Sequence, residues 1–260
     1  MSERAGRRKS RGRDAKRAAR QQAQVQTTAF IDRNIPYFDV LNEESLELIE
    51  YNADTVLEEI GIDFRDDPEA LSILKDAGAD VDGERVRFPR GMCRSIIQAS
   101  APSEFVQHAR NPARNVIIGG KRTVLVPAYG SPFVRDLDEG RRYATLKDFQ
   151  NFVKLAYMAP SMHHSGGTVC EPVDVPVNKR HLDMVYSHIK YSDKPFMGSV
   201  THPDRAQDTV DMAKVVFGEE FIQQNTVCTS LINANSPLTF DATMLGAAKV
   251  YARNNQATVI

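Results

Sequence analysis

The stretch that decides the fold is Thr226 to Ile260, TVCTSLINANSPLTFDATMLGAAKVYARNNQATVI. Its opening, Thr226 to Ile232, is β-branched and largely apolar, which predicts a strand buried on both faces. Asn233-Ala234-Asn235-Ser236-Pro237 breaks it with a polar turn. Leu238, Ala242, Leu245, Ala248, Lys249 and Ala252 then fall on one side of a helix, and Ala257-Thr258-Val259-Ile260 begins a second strand. Strand, loop, helix and strand form the repeating unit of parallel α/β folds. The Asn-rich loop lies past the carboxyl end of its strand, where such folds collect their chemistry.

Working outward, further strands are expected near 123 (Thr123-Val124-Leu125-Val126), 167 (Gly167-Thr168-Val169-Cys170) and 195 (Pro195 to Val200). The last three strand-to-strand intervals are about 30 residues, one βα unit each. Thr145-x-x-Asp148 caps one intervening helix, Asn178 to Tyr191 forms another, and a third starts at Asp204 or Arg205 and runs to Phe217. Residues 119–260 are therefore read as about four βα units plus a fifth strand, the first half of a (β/α)8 TIM-type barrel. A complete barrel takes roughly 250 residues, so the chain is expected to be the N-terminal portion of a longer protein. A doubly wound open sheet is the alternative.

Residues 26–118 form a small α+β region in this reading. A helix follows Asn42 and ends at Gly61, a second opens at Asp67-Pro68, Asp82-Gly83 turns a hairpin, and a third helix runs from about Arg90 to Ala99. Residues 1–25 are Arg-, Ala- and Gln-rich and are expected to be a disordered basic tail. Nine Arg or Lys fall in residues 1–22, leaving the remainder with a net charge of −8. A basic arm that binds nucleic acid is the alternative function class; without interleaved aromatics, and ahead of an acidic body, a solvated tail is the expectation.

Three cysteines without C-x-x-C spacing or even pairing suit a reducing cytoplasm. No apolar run spans a bilayer, and the N-terminus lacks the apolar core of a secretory signal. Gly119-Gly120-Lys121 lacks the rest of a phosphate loop, and there is no G-x-S-x-G elbow. His163, His164, Cys170 and Cys228 lack zinc-ligand spacing, so no metal site is assigned.

What remains is a set of polar loops after the strands: Tyr129 and Phe133, Glu171 and Asp174, His202, and Asn233 and Asn235. Each has a bland reading as a salt bridge, a helix cap or an Asx-turn. Their convergence on one barrel face makes them the candidate substrate-binding set. An aromatic face and a carboxylate suit a quaternary ammonium group, and two Asn side chains can hydrogen-bond a carboxylate.

The segments AYGSPFVRDLDEGRR, SGGTVCEPVDVP, KPFMGSVTHPDRAQD and LINANSPLTFDATMLGAAKVYARNNQATVI, in this order, resemble consecutive βα loops of the trimethylamine methyltransferase family. LEEIGIDFRDDPEALSILKDAGADVDGERVRFP is similar to that family's N-terminal segment, and the likeness extends over roughly residues 30 to 260. The resemblance implies a barrel enzyme that moves a methyl group from trimethylamine or a betaine to the Co(I) of a separate corrinoid protein. The corrinoid-binding signature D-x-H-x-x-G is incomplete here, because Met162 stands in the Asp position ahead of His164 and Gly167. The chain is thus expected to hold no corrinoid tightly itself. The archetypal members carry pyrrolysine in the half of the barrel beyond these residues, so the substrate and the catalytic residues stay open. Two open sheet edges also make a homo-oligomer an expected state, and the chain made alone is expected to be inactive.

Overall fold

The structure, a computed structural model, describes residues 27–260. The basic tail lies outside the described residues. β1 (Ile31–Asp32) precedes helix α1 (Glu43–Thr55), whose first turn is capped by Asn42 accepting from the Ser45 N–H at 2.9 Å. A π-helical turn, Val56–Ile60, continues α1 to Gly61, which has a φ of 75°. A Cβ on Gly61 would lie 2.3 Å from the Val86 carbonyl oxygen, so only glycine lets the helix end so close to the next strand pair.

β2 (Ile62–Phe64), α2 (Pro68–Asp76), β3 (Asp80–Asp82) and β4 (Arg85–Arg87) follow, then α3 (Met92–Ser100). The expected hairpin between β3 and β4 is present, with β2 antiparallel on its other side. Two antiparallel pairs come next. β5 (Glu104–Gln107) pairs with β6 (Val116–Gly119), and β7 (Arg122–Thr123) pairs back to β1. A third hairpin, β8 (Phe133–Asp136) with β9 (Gly140–Tyr143), leads into α4 (Leu146–Met158), whose capping box is formed by Thr145 and Asp148 as expected.

α5 (Arg180–Tyr191), β10 (Phe196–Met197), α6 (Pro203–Phe217), α7 (Glu219–Gln224), β11 (Cys228–Leu231), β12 (Thr239–Phe240), α8 (Ala242–Arg253) and β13 (Ala257–Val259) complete the chain. β10, β11 and β13 form a parallel sheet in chain order, the arrangement read from Thr226 to Ile260. Helices cover one face. Val185 of α5, Val210 of α6 and Tyr251 of α8 bury against Phe196, Cys228 and Ile232. Each fully buried Val, Ile or Phe contributes on the order of 1.5–3 kcal/mol, so this cluster dominates the local stability.

Two of the expected strands differ. Gly167 to Cys170 is irregular. The sheet contact instead falls just upstream, where the Ser165 N–H donates to the Pro195 carbonyl (2.8 Å) and the Met197 N–H donates to Gly166 (2.9 Å). Val124 to Val126 is not a strand either; the His163 N–H donates to the Leu125 carbonyl at 3.0 Å, and β7 ends at Thr123. Glycines at 166 and 167 and the proline at 127 limit regular pairing at both places. The helix expected from Leu238 starts after Asp241, because Thr239–Phe240 forms β12, parallel to β2. That pairing inserts the loop after β11 into the sheet of the N-terminal region, and Phe240 stacks on Phe64 with ring centroids 5.6 Å apart.

The molecule is thus mixed α/β with several small sheets and no closed barrel among the described residues. No described helix is long and apolar enough to cross a membrane.

Candidate substrate site at the carboxyl ends of the parallel strands

The loop from Pro127 to Pro132 lies on the segment from Gly166 to Glu171. The Gly130 N–H donates to the Thr168 carbonyl (2.8 Å) and the Glu171 N–H donates to Ser131 (3.3 Å). A Cβ at Gly130 would sit 1.9 Å from the Val169 carbonyl oxygen, so the contact needs glycine. This contact fixes Tyr129, whose hydroxyl lies over Gly167: a Cβ there would be 2.7 Å from the phenol oxygen and 3.0 Å from the Met197 Cβ. Burial pushes the Tyr129 phenol pKa up, so it is a neutral donor near neutral pH.

Two buried imidazoles support this platform. His188 donates from Nε2 to the Gly167 carbonyl (2.8 Å) and accepts at Nδ1 from the Ser165 hydroxyl (2.7 Å). His164 accepts at Nδ1 from the Gly166 N–H (2.9 Å), which leaves Nε2 to donate to the Gln107 side-chain oxygen (3.2 Å). Burial lowers His164 to about 3 and His188 to about 4, so both are neutral near neutral pH. Gln107 in turn donates to the Phe196 and Val227 carbonyls, tying β5 to the sheet.

Beside the platform, between α5 and the loops after Gly167 and Met197, is a cavity of about 150 Å³. Glu171 reaches its rim and is paired with Arg180, which also donates to the Val175 carbonyl through Nε (3.1 Å) and Nη2 (3.0 Å). His181 lines the cavity too. Its Nε2 meets Asp208 at 2.7 Å, while its Nδ1 is buried without a partner among the described residues.

Of the residues singled out from the sequence, Tyr129 and Glu171 come to this region, one over Gly167 and one on the cavity rim. The others are placed differently. Phe133 lies in the β8–β9 hairpin, its ring against Tyr143 (4.7 Å between centroids) with the Arg141 guanidinium 3.8 Å above it. Asp174 is exposed and accepts from the Leu146 N–H at 2.8 Å, at the start of α4. His202 caps α6, accepting from the Asp204 N–H at 3.2 Å, the bland alternative weighed for it. Asn233 is exposed, and the Asn235 amide donates to Asp241 at 2.6 Å. Arg180, His181 and Arg205 were missed, because helix-borne residues read from sequence as solvated faces. A signal was available at Arg205: a cation in the first turn of a helix sits where the macrodipole disfavours it.

Among the described residues no group of three or more His, Cys, Asp or Glu side chains is placed to hold a metal ion. Burial raises the Cys170 and Cys228 thiols to about 12, so neither is a thiolate near neutral pH.

A family model for trimethylamine methyltransferase (MTTB) matches residues 8–260. A glycine betaine methyltransferase of Desulfitobacterium hafniense (strain Y51) is 46% identical over 227 residues, which is 87% of this chain and 47% of that protein. A trimethylamine methyltransferase MttB of Desulfitobacterium hafniense (strain DSM 10664 / DCB-2) is 31% identical over 116 residues, 44% of this chain and 23% of that protein. The chain spans less than half the length of each of these curated relatives. With a family match over nearly all of its residues, the chain belongs to the trimethylamine methyltransferase family.

Proposed function

We propose that the full-length protein moves a methyl group from a tertiary or quaternary amine, trimethylamine or a betaine, to the Co(I) of a separate corrinoid protein. The observation that carries this reading is the 46% identity to a glycine betaine methyltransferase across 87% of the chain. In this reading residues 119–260 are the first half of a (β/α)8 barrel, and residues 26–118 pack against it through β2 and β12. The parallel pairing of β10, β11 and β13 in chain order, with Ser165 and Gly166 bonded alongside β10, supports that arrangement.

The reduced cobalt of the partner protein supplies the nucleophile that accepts the methyl group. His164 is a poor candidate to ligate cobalt, since both ring nitrogens are engaged and the ring is buried. That supports a corrinoid carried by the partner. The present chain would orient the amine. Tyr129, whose hydroxyl lies over Gly167, would bring an aromatic ring beside the cavity for a quaternary ammonium, and Glu171, paired with Arg180, a carboxylate at its rim. Holding the N-methyl group in line with the acceptor supplies the rate advantage of a preorganised encounter.

The test mixes full-length protein, a reduced corrinoid protein, and glycine betaine or trimethylamine, and follows the demethylated amine by mass. Dimethylglycine or dimethylamine should form only with the corrinoid protein present. Failure with every methylated amine and betaine tried would overturn the reading.

A further inference from the structure

The cavity beside Gly167 contains an arginine without a carboxylate partner. Arg205 lines it, and its Nη1 donates to the Thr201 hydroxyl at 2.9 Å. No Asp or Glu lies within ion-pair distance of it among the described residues, although its neighbour Arg180 is paired with Glu171. It occupies the third position of α6, after Pro203 and Asp204, where the positive end of the helix repels a cation and attracts an anion. Thr168, Ser199 and Thr201 bring hydroxyls to the same cavity, and Met184 and Met197 bring polarisable apolar surface.

A second observation comes from His181. The residue is 6% exposed, its Nε2 is held by Asp208, and its Nδ1 is buried with no partner among the described residues. A buried polar atom without a partner is uncommon and calls for a ligand or water. With Nε2 held by Asp208, Nδ1 is the ring nitrogen left for a polar group of a ligand.

We infer that this cavity is the carboxylate-recognition site for a betaine, with Arg205 as the specificity-determining residue that favours a carboxylated quaternary amine over a simple methylamine. This rests on the proposed function and deepens it. The guanidinium fork and the surrounding hydroxyls hold the carboxylate, and the quaternary ammonium group lies toward Met184, Met197 and Glu171. Trimethylamine, lacking the carboxylate, forgoes the contact with Arg205. The Asn233 and Asn235 side chains expected to hold a carboxylate are an exposed residue and a partner of Asp241, so Arg205 replaces them in that role.

The test is titration calorimetry of the full-length protein with glycine betaine, with choline, which lacks the carboxylate, and with acetate, which lacks the ammonium group. The wild type should bind glycine betaine more tightly than either. Arg205→Gln should weaken glycine betaine by about 10- to 100-fold, the range for a charge-assisted hydrogen bond, and leave choline within about twofold. Arg205→Lys, which keeps the charge and loses the fork, should fall between them. It is the variant to use should Arg205→Gln fail to fold. Equal weakening of glycine betaine and choline, or unchanged glycine betaine binding in a folded variant, overturns the inference. Betaine turnover by the wild type with an unchanged KM in Arg205→Gln sinks this inference alone. A wild type that binds and demethylates no betaine but turns over trimethylamine sinks this inference alone, and one that demethylates no methylated amine or betaine sinks the proposed function as well.

Discussion

The Tyr251 hydroxyl donates to the Ser199 carbonyl at 2.7 Å. The ring is fully buried, so α8 is pinned to the loop that follows β10 and borders the cavity. Packing leaves no slack: a Cβ at Gly198 would lie 2.2 Å from the Tyr251 hydroxyl oxygen and 2.6 Å from the Thr209 Cγ2. Tyr251→Phe keeps the ring and strands the carbonyl, so it should cost about 1 kcal/mol of unfolding free energy. Gly198→Ala should cost more, about 1–3 kcal/mol, because tightly packed neighbours must move. Denaturant unfolding of both variants checks the order; a Gly198→Ala protein as stable as wild type would contradict the packing.

The buried imidazoles make stability fall on the acid side of neutrality. His188 titrates at about 4 and His164 at about 3 in the folded protein because burial disfavours their charged forms. In the unfolded chain both take up protons near the ordinary value of about 6.5. Between pH 6.5 and about 4 the unfolded state therefore binds more protons, and stability present above 6.5 is lost as pH falls through that window. Each group contributes a slope of up to about 1.4 kcal/mol per pH unit. His188→Asn should reduce the measured slope between pH 6.5 and 5 by about that amount, whatever it does to absolute stability. Denaturant titrations at pH steps of half a unit measure it, and an unchanged slope would mean that His188 is charged in the folded protein.

The sequence made the repeating α/β unit legible because its signals are local. Thr145 with Asp148, Asn42, and Pro68 after Asp67 are caps written in adjacent residues, and all three appear in the structure. β11 and β13 were legible from runs rich in Thr, Val and Ile, and β10 from the apolar Phe196-Met197 after Pro195. The β5–β6 and β8–β9 hairpins were not; in the latter, Arg135, Arg141 and Arg142 disguise the strands with charge. β12 was hidden for another reason: Thr239 and Phe240 are strand only because β2, over 170 residues away, pairs with them. The candidate site was half legible. Tyr129 and Glu171 lie in loops, where polar residues draw notice, and the structure brings both to one region. Arg205 and His181 sit on helices, where charge reads as solvated surface until the opposite wall is known. Asn235 and His202 drew notice for the same reason as Tyr129, yet their side chains are engaged in local hydrogen bonds.

Lys194 secures the end of α4. The side chain is 4% exposed, and its ammonium donates to the carbonyls of Ala156 (2.8 Å), Ala159 (3.2 Å) and Met162 (2.6 Å). Burial pushes its pKa down to about 8, yet the ammonium form is the one that satisfies all three acceptors. These carbonyls belong to the last turn of the helix and the turn beyond it, where positive charge is favourable. Lys194→Met keeps the length and removes the donors, so about 2–4 kcal/mol of stability should be lost. Arg114 and Tyr157 next to it would lose less order than the α4 terminus itself. Amide hydrogen exchange should show loss of protection concentrated at residues 155–163, and uniform loss across the chain would point to global unfolding instead.

Tyr129 and Gly167 offer the sharpest test of the platform, because their contact can be broken and restored. The phenol oxygen lies where a Gly167 Cβ would come within 2.7 Å, and the ring Cζ would be 3.1 Å away. Met197 Cβ, at 3.0 Å, stands on the other side. Gly167→Ala must therefore displace Tyr129 or Met197, and a cost of about 1–3 kcal/mol follows from overpacking. The displaced ring would also shift the loop from Pro127 to Pro132, since Gly130 and Ser131 bond directly to Thr168 and Glu171. Tyr129→Phe removes the closest atom and leaves the face of the ring, so alone it should change stability by less than about 1 kcal/mol. Combined, the two substitutions should cost about 1 kcal/mol less than their sum, the mark of a relieved clash between neighbours. The same double-mutant cycle on betaine KM should show the same sign, because the ring offered to the ammonium group returns toward its original position. Strict additivity in both stability and KM would show that Tyr129 does not sit over Gly167 in solution, and the aromatic wall of the site would then have to be sought elsewhere.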